Sequence, residues 1–204
     1  MKFKSPEGAT PIDDAEGLIP RITTRTELNA AEAENILGAM DKHLKRPKNP
    51  KKPWLTDPYL RRVHKDMLGK VWKWAGHYRN TELNIGVSVH QMREEIKKLC
   101  DDVAFWDSQA KPMSVLERAV RIHHRLAQIH PFKNGNGRHA RLIGDIYLYS
   151  HSHSLPAWPR SNIGEESGIR GVYLKALRQA DQGHFKPLSN FVGQFITDPK
   201  TTLS

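Results

Sequence analysis

The sequence predicts an all-α fold, a helical bundle with one short non-helical segment. Three observations predict it. Apolar residues recur at three- and four-residue spacing in seven separate stretches, capping residues, prolines and glycines mark the ends of those stretches, and one segment, 78–87, lacks the helical period. With 204 residues, 38% apolar and 26% charged, the chain is long enough for a real core in one domain. A single cysteine, Cys100, leaves no partner for an intramolecular disulfide and reads as an inert, at least half-buried thiol.

Residues 1–22 carry Pro6, Pro11, Pro20, Gly8 and Gly17 and read as an extended arm, able to pack through Ile12, Leu18 and Ile19. Thr24 or Thr26 then caps a helix over 27–44, which Arg46-Pro47 ends. Its apolar arc takes in Leu28, Ala33, Ile36, Leu37, Ala39, Met40 and Leu44, with Glu32 inside the arc and Glu34 on the opposite side. A carboxylate on a buried face requires a partner, because an unpaired buried charge costs several kcal/mol. After a basic connector, Thr56-Asp57-Pro58 caps a helix over 59–74 with Leu60, Val63, Met67, Val71 and Trp74 inward. Residues 78–87 read as a short hairpin or an irregular extended segment. Helices over 88–105 and 114–129 follow, then one from Gly137 onward, one over 165–180 and a last one over 187–196. The expected organisation is an N-terminal arm, helix and connector over 1–55, a core domain over 56–197 and a tail over 198–204.

The chemistry concentrates in His130-Pro131-Phe132-Lys133-Asn134-Gly135-Asn136-Gly137-Arg138-His139-Ala140-Arg141, which joins two helices. Gly135 and Gly137 remove Cβ atoms where amides converge, and the N-terminus of the next helix adds positive potential, a geometry that suits phosphate. Arg138 and Arg141 stand three apart, on one helix face, for further phosphates. His130, with an ordinary pKa near neutrality, suits a general base for a hydroxyl. Together these residue types describe phosphoryl or nucleotidyl transfer. No His-Glu-x-x-His spacing appears among the eleven histidines, and a zinc site is not expected.

The stretch resembles the signature of the Fic family, His-Pro-Phe-x-Asp/Glu-Gly-Asn-Gly-Arg-x-x-Arg, within it the branch called mobile mystery protein B. The resemblance implies a Fic-type bundle with a small β-hairpin flap over the active-site loop, and an enzyme that transfers AMP from ATP to a Ser, Thr or Tyr hydroxyl of a target protein. It implies His130 as base, Lys133 and Gly135, Asn136 and Gly137 as nucleotide contacts, and Arg138 and Arg141 as clamps for the outer phosphates. Tyr173, in Tyr173-Leu174-Lys175-Ala176-Leu177, is either a nucleobase contact or plain core. Asn134 departs from the pattern, standing where relatives carry the acid that holds Mg2+ (or Mn2+). A neutral amide oxygen is a weaker ligand for a hard cation. The flap, from the Gly-x-Tyr-Arg and Ile-Gly matches, implies that Thr81, Glu82, Leu83, Asn84 and Ile85 dock the target segment. Many relatives also carry an inhibitory Ser/Thr-x-x-x-Glu-Gly/Asn helix whose glutamate pairs with the second signature arginine. Glu34-Asn35 matches the dipeptide, but Glu32 has the required facing and is preferred.

The net charge of +10 is local: residues 41–80 hold twelve basic and three acidic residues. Such a run argues for solvated surface before specific binding, and it leaves an acidic partner or nucleic acid as an alternative. No signal-type segment opens the chain and no apolar run reaches membrane length, so the expected location is cytoplasmic and no membrane partner is expected. A homodimer stays open. The alternative functions are an idle nucleotide-binding or basic interaction module, and a Fic-fold phosphotransferase using another phosphate-linked donor.

Overall fold

In the computed structural model, residues 17–109, 113–159 and 168–196 are described. Seven helices lie among them: α1 (Arg25–Leu44), α2 (Asp57–Leu68), α3 (Val89–Ser108), α4 (Val115–Ile129), α5 (Asn136–Ser150), α6 (Gly168–Asp181) and α7 (Lys186–Gly193). No strand forms among these residues. There are two isolated antiparallel bridges, Leu18 with Trp72 and Tyr78 with Phe132. No helix among the described residues is long and apolar enough to cross a membrane.

Helices α4 and α5, joined by the six residues 130–135, form the central pair. α5 is buried on almost every side, from Asn136 through His139, Ala140 and the run 142–148. α1, α2 and α3 enclose one core with α4 and α5, built on Leu28, Leu60, Met67, Ile96, Leu126 and Ile143 among others. A smaller core sets Val120 of α4 against Tyr173, Ala176 and Ala180 of α6 and Leu188, Phe191 and Val192 of α7. α4 therefore buries two faces, one in each core.

The N-terminus of α1 is a capping box: Thr24 Oγ1 accepts from Glu27 N at 3.2 Å and the Glu27 carboxylate accepts from Thr24 N at 3.0 Å. The buried stripe of α1 is Leu28, Glu32, Asn35, Ala39 and His43, a strict three-and-four spacing. The predicted arc was too wide, because Ala33 and Leu37 are exposed and two polar residues besides Glu32 take the inner line. Both are satisfied there. Asn35 Nδ2 donates to Asp66 O at 2.6 Å and its Oδ1 accepts from Lys70 N at 2.9 Å, while His43 bridges Tyr59 Oη and Asp66 Oδ2.

α2 ends six residues earlier than its apolar period suggests. Gly69 caps it, its amide donating to Lys65 O at 2.7 Å, and the chain turns back so that Trp72 N reaches Leu68 O at 2.8 Å. Val71 stays buried through the turn, but Trp72 takes the innermost place and Trp74, expected inward, is half-buried, because the chain no longer follows the helical period. The arm's end closes over this turn, Ile19 N donating to Val71 O and Lys73 N to Gly17 O. Ile12 and residues 1–16, like 160–167 and the tail from 197, lie outside the described residues.

The hairpin expected over 78–87 is not seen. The segment is irregular, and two carbonyls that a ladder would pair, those of Thr81 and Val87, instead accept from the Arg79 guanidinium.

Candidate active site

The loop between α4 and α5 is fixed from outside itself. Pro131 cannot continue α4, and His130 turns the chain in the left-handed conformation, φ 52° and ψ 57°, its amide still donating to Leu126 O. Phe132 is fully buried and stacks on His64 with ring centroids 3.6 Å apart. Asn136 clamps the same residue, its Oδ1 accepting from Phe132 N at 2.9 Å and its Nδ2 donating to Phe132 O at 2.8 Å. His64 receives the Gly76 amide on Nδ1 at 2.9 Å, so its proton sits on Nε2, which donates to Asn134 O at 2.9 Å. Burial pushes the His64 imidazole well below its ordinary pKa, which keeps that tautomer neutral. Gly135 has φ 77°, and a Cβ there would lie 2.6 Å from Leu68 Cδ1. Only glycine fits.

α5 begins at Asn136, and its first intrahelical bond is His139 N to Gly135 O at 2.9 Å. The amides of Asn136, Gly137 and Arg138 therefore lack intrahelical acceptors and point out of the helix end, the donor set an anion takes. His130 lies at the other side of the loop, 9% exposed. Its Nδ1 faces Ala127 O at 3.3 Å, an acceptor, so the proton belongs on Nδ1 and the basic lone pair on Nε2. Burial pushes this imidazole down to about 4, the Ala127 carbonyl opposing and the Arg79 charge adding to the shift. The near-neutral value expected from the residue type is thus not reached, because the ring is desolvated.

The two arginines differ in surroundings. Arg138 meets Glu32, Nη1 to Oε2 at 2.5 Å, and the other oxygen of Glu32 accepts from Trp72 Nε1 at 2.7 Å. Arg141 turns to the interior, where its guanidinium neighbours the Tyr173 hydroxyl and lies 5.8 Å from the Trp158 ring centroid. Tyr173 Oη also meets His123 Nε2 at 2.8 Å. Next to Arg141, burial raises the Asp145 carboxyl to about 7, with the Trp158 indole and Arg141 opposing, and Trp158 Nε1 contacts both its oxygens at 3.0 Å. Lys133 is exposed.

The residues present do not fit a resident divalent cation. Asn134 Oδ1 accepts from Gly135 N and lies 3.5 Å from Arg138 Nη2, so the one candidate ligand is turned into the loop. No group of three His, Cys, Asp or Glu suited to a metal occurs among the described residues.

Of the two N-terminal glutamates, Glu32 is 5% exposed at the loop and Glu34 points to solvent. Glu32 meets the first signature arginine, Arg138, and not Arg141 as the resemblance implies. In the flap segment Thr81, Glu82, Asn84 and Ile85 are exposed and Leu83 half-buried. The Glu82 carboxylate caps α3 by accepting from Val89 N at 3.0 Å and Ser88 Oγ at 3.1 Å. Sequence reasoning met Arg79 only as the end of the Gly-x-Tyr-Arg match and Asn35 only in the Glu34-Asn35 dipeptide, gave neither a role, and missed His64 and the Glu32 contact of Trp72. His64 carried a signal, since it is four residues from Leu60 and three from Met67 on the inward stripe of α2.

A family model described as Fic/DOC family matches residues 54–148, from the connector through the signature into the last turn of α5. Residues 54–148 are a Fic/DOC-family domain. Among curated relatives of the Fic domain, "Protein adenylyltransferase Fic" of Nematostella vectensis is 30% identical over 135 residues, 65% of this chain and 30% of that protein. "Protein adenylyltransferase fic-1" of Caenorhabditis elegans is 27% identical over 135 residues, 65% of this chain and 25% of that protein. The chain thus spans less than a third of the length of these relatives. Among solved structures, the BepC protein of Bartonella tribocorum with bound AMPPNP superposes with a TM-score of 0.66 at 18% identity, covering 89% of this chain and 96% of that one. A C. elegans Fic-1 structure gives a TM-score of 0.64 at 21% identity, over 89% of this chain and 52% of that one. These likenesses establish the Fic fold and do not distinguish branches of the family.

Proposed function

We propose that the chain is a protein adenylyltransferase. The observation that carries this reading is His130, held neutral with its Nδ1 proton turned to Ala127 O, across the loop from the first-turn amides of α5, which have no acceptor within the helix. In the proposed reaction a Ser, Thr or Tyr hydroxyl of a target protein, presented along residues 81–85, gives its proton to His130 Nε2. Its oxygen bonds to the α-phosphorus of ATP, whose oxyanion rests on the amides of Asn136, Gly137 and Arg138. The bond from that phosphorus to the β-phosphate oxygen breaks, and pyrophosphate leaves toward Arg138 and Arg141. Donors preset where charge develops supply the stabilisation such a displacement requires. Magnesium or manganese would arrive chelated by the nucleotide as part of the substrate.

Glu32 supports autoinhibition in cis, since a phosphate must displace it from Arg138. Asn134, with its oxygen engaged in the loop, favours a second reading, an idle nucleotide-binding module.

The test incubates wild type, Glu32→Gly and Glu32→Gly/His130→Ala with α-32P-labelled ATP and a cell lysate, with mass spectrometry of labelled protein. Label that rises with Glu32→Gly and vanishes with His130→Ala, as an AMP adduct, is expected. An added phosphate instead of AMP would replace the preferred chemistry with phosphotransfer. Absence of label from every variant, with ATP binding still measurable by calorimetry, would leave the idle module.

A further inference from the structure

Arg79 is buried, 6% exposed, and the proposed reaction gives it no role. Its one carboxylate neighbour among the described residues is Glu82, 3.6 Å away, whose side chain is 61% exposed and also caps α3. The guanidinium is satisfied mainly by carbonyls. Nε donates to His130 O at 2.8 Å, Nη1 to Thr81 O at 3.0 Å and Nη2 to Val87 O. One planar fork thus joins both ends of the flap segment to the backbone of the base, which the single ammonium of a lysine cannot do.

The backbone repeats the connection. Arg79 N donates to Pro131 O at 2.9 Å and Val87 N to Ile129 O at 3.3 Å, so the bonds bracket His130 on both sides. Gly86, at φ 105°, lies so close that a Cβ would sit 2.8 Å from His130 Cβ and 2.9 Å from Arg79 Nη2. His130 itself is a non-glycine residue in left-handed conformation, a strained backbone that persists only where the surroundings impose it. The surroundings here are the flap segment and Arg79.

We propose that Arg79 is the positioning residue of the site: its guanidinium locks residues 81–87 to the His130 carbonyl and so holds the base in its left-handed, Nδ1-anchored orientation. This rests on the adenylyltransferase reading for its kinetic consequence but not for its geometric one. The guanidinium charge beside the imidazole also disfavours the imidazolium, which agrees with the lowered value of His130.

Two variants in the Glu32→Gly background test it. Arg79→Lys keeps the charge and loses the fork, and Arg79→Met keeps the length and loses both. Each is assayed for kcat and KM for ATP, ATP affinity by calorimetry, thermal melting, and the ring-nitrogen NMR signals of His130, assigned with His130→Gln. Folded Arg79→Lys should bind ATP within about threefold of its parent while kcat falls about 100-fold, as expected when a reacting group is misplaced by an ångström. The His130 nitrogens should move from a single-tautomer pattern toward an averaged one. A folded Arg79→Lys with kcat within twofold of its parent, or with unchanged His130 nitrogens, would overturn the proposal. If both variants fail to fold, Arg79 is a fold anchor and the positioning role is wrong. If the Glu32→Gly parent transfers no AMP yet the His130 signals respond to Arg79→Lys, the functional reading fails and the positioning stands.

Discussion

At the scale of single residues, the site is set by side chains that do no chemistry themselves. Trp72 is one: its indole holds one oxygen of Glu32 while Arg138 holds the other. A hydrogen bond to a charged group contributes about 1.5–3 kcal/mol. Trp72→Phe should therefore weaken the hold on Glu32 and raise AMP transfer about tenfold, less than Glu32→Gly does, as measured by label incorporation. Glu34→Gly should leave transfer unchanged, because Glu34 faces solvent. His130 makes a second prediction. A base must be unprotonated, and burial holds this one near 4, so the acid limb of the rate profile, normalised to folded protein, should centre near pH 4 and not near 6.5. Asn134→Asp supplies the missing carboxylate and should lower the magnesium concentration for half-maximal transfer by about tenfold.

At the scale of elements, what the sequence revealed follows from what sets each boundary. Helix α4 and the start of α5 were legible because Pro131 and the Asn134-Gly135-Asn136-Gly137 run are chemical stops. The end of α2 was not, because Leu60, Val63, Met67, Val71 and Trp74 keep a helical period through a turn whose burial is set by α1 and the arm. The inner line of α1 was half legible. Apolar facing put Glu32 on the buried line and Glu34 on the solvent side, where the structure has them, yet the same rule put Leu37 inside and overlooked Asn35, since a polar residue on a buried stripe is visible only once its partners are known. Those partners, Asp66 O and Lys70 N, make Asn35 a tie between α1 and the end of α2. Asn35→Ala leaves both backbone groups unsatisfied and should cost about 2 kcal/mol, a Tm drop of about 4–8 °C for a chain this size by thermal melting. The flap was legible as a non-helical segment by its lack of period, but its irregular course depends on Arg79, whose guanidinium is taken up by backbone carbonyls, acceptors that every residue carries and that leave no sequence pattern.

At the scale of the whole molecule, the interior is stocked with neutral imidazoles. Burial lowers His43 and His64, and lowers His123 to about 3 and His139 to about 4, alongside His130. Below the ordinary value of 6.5 the unfolded chain takes up protons that the folded chain refuses, so stability falls with pH from about 6.5 until the folded groups titrate near 4 and below. Asp145 and Asp102 work the other way, burial raising both carboxyls, that of Asp145 to about 7, but they are two groups against five. Urea midpoints should therefore drop steeply between pH 6.5 and 4.5. A midpoint independent of pH over that window would contradict the neutral burial of these rings.

The anchoring of α1 decides what moves when the site opens. Leu28, Asn35, Ala39 and His43 hold the helix along its length, and Glu32 sits in the middle of that line. Freeing Arg138 needs no undocking of twenty residues, only rotation of one side chain about three bonds. Exposed side chains rotate in picoseconds to nanoseconds and helix displacements take microseconds to milliseconds, so Glu32, buried and held by Trp72 and Arg138, turns more slowly than the first but without the second. Exchange between closed and open sites would then be fast relative to any turnover, and the degree of inhibition would be read as an equilibrium competition for one guanidinium, without a lag after mixing with nucleotide.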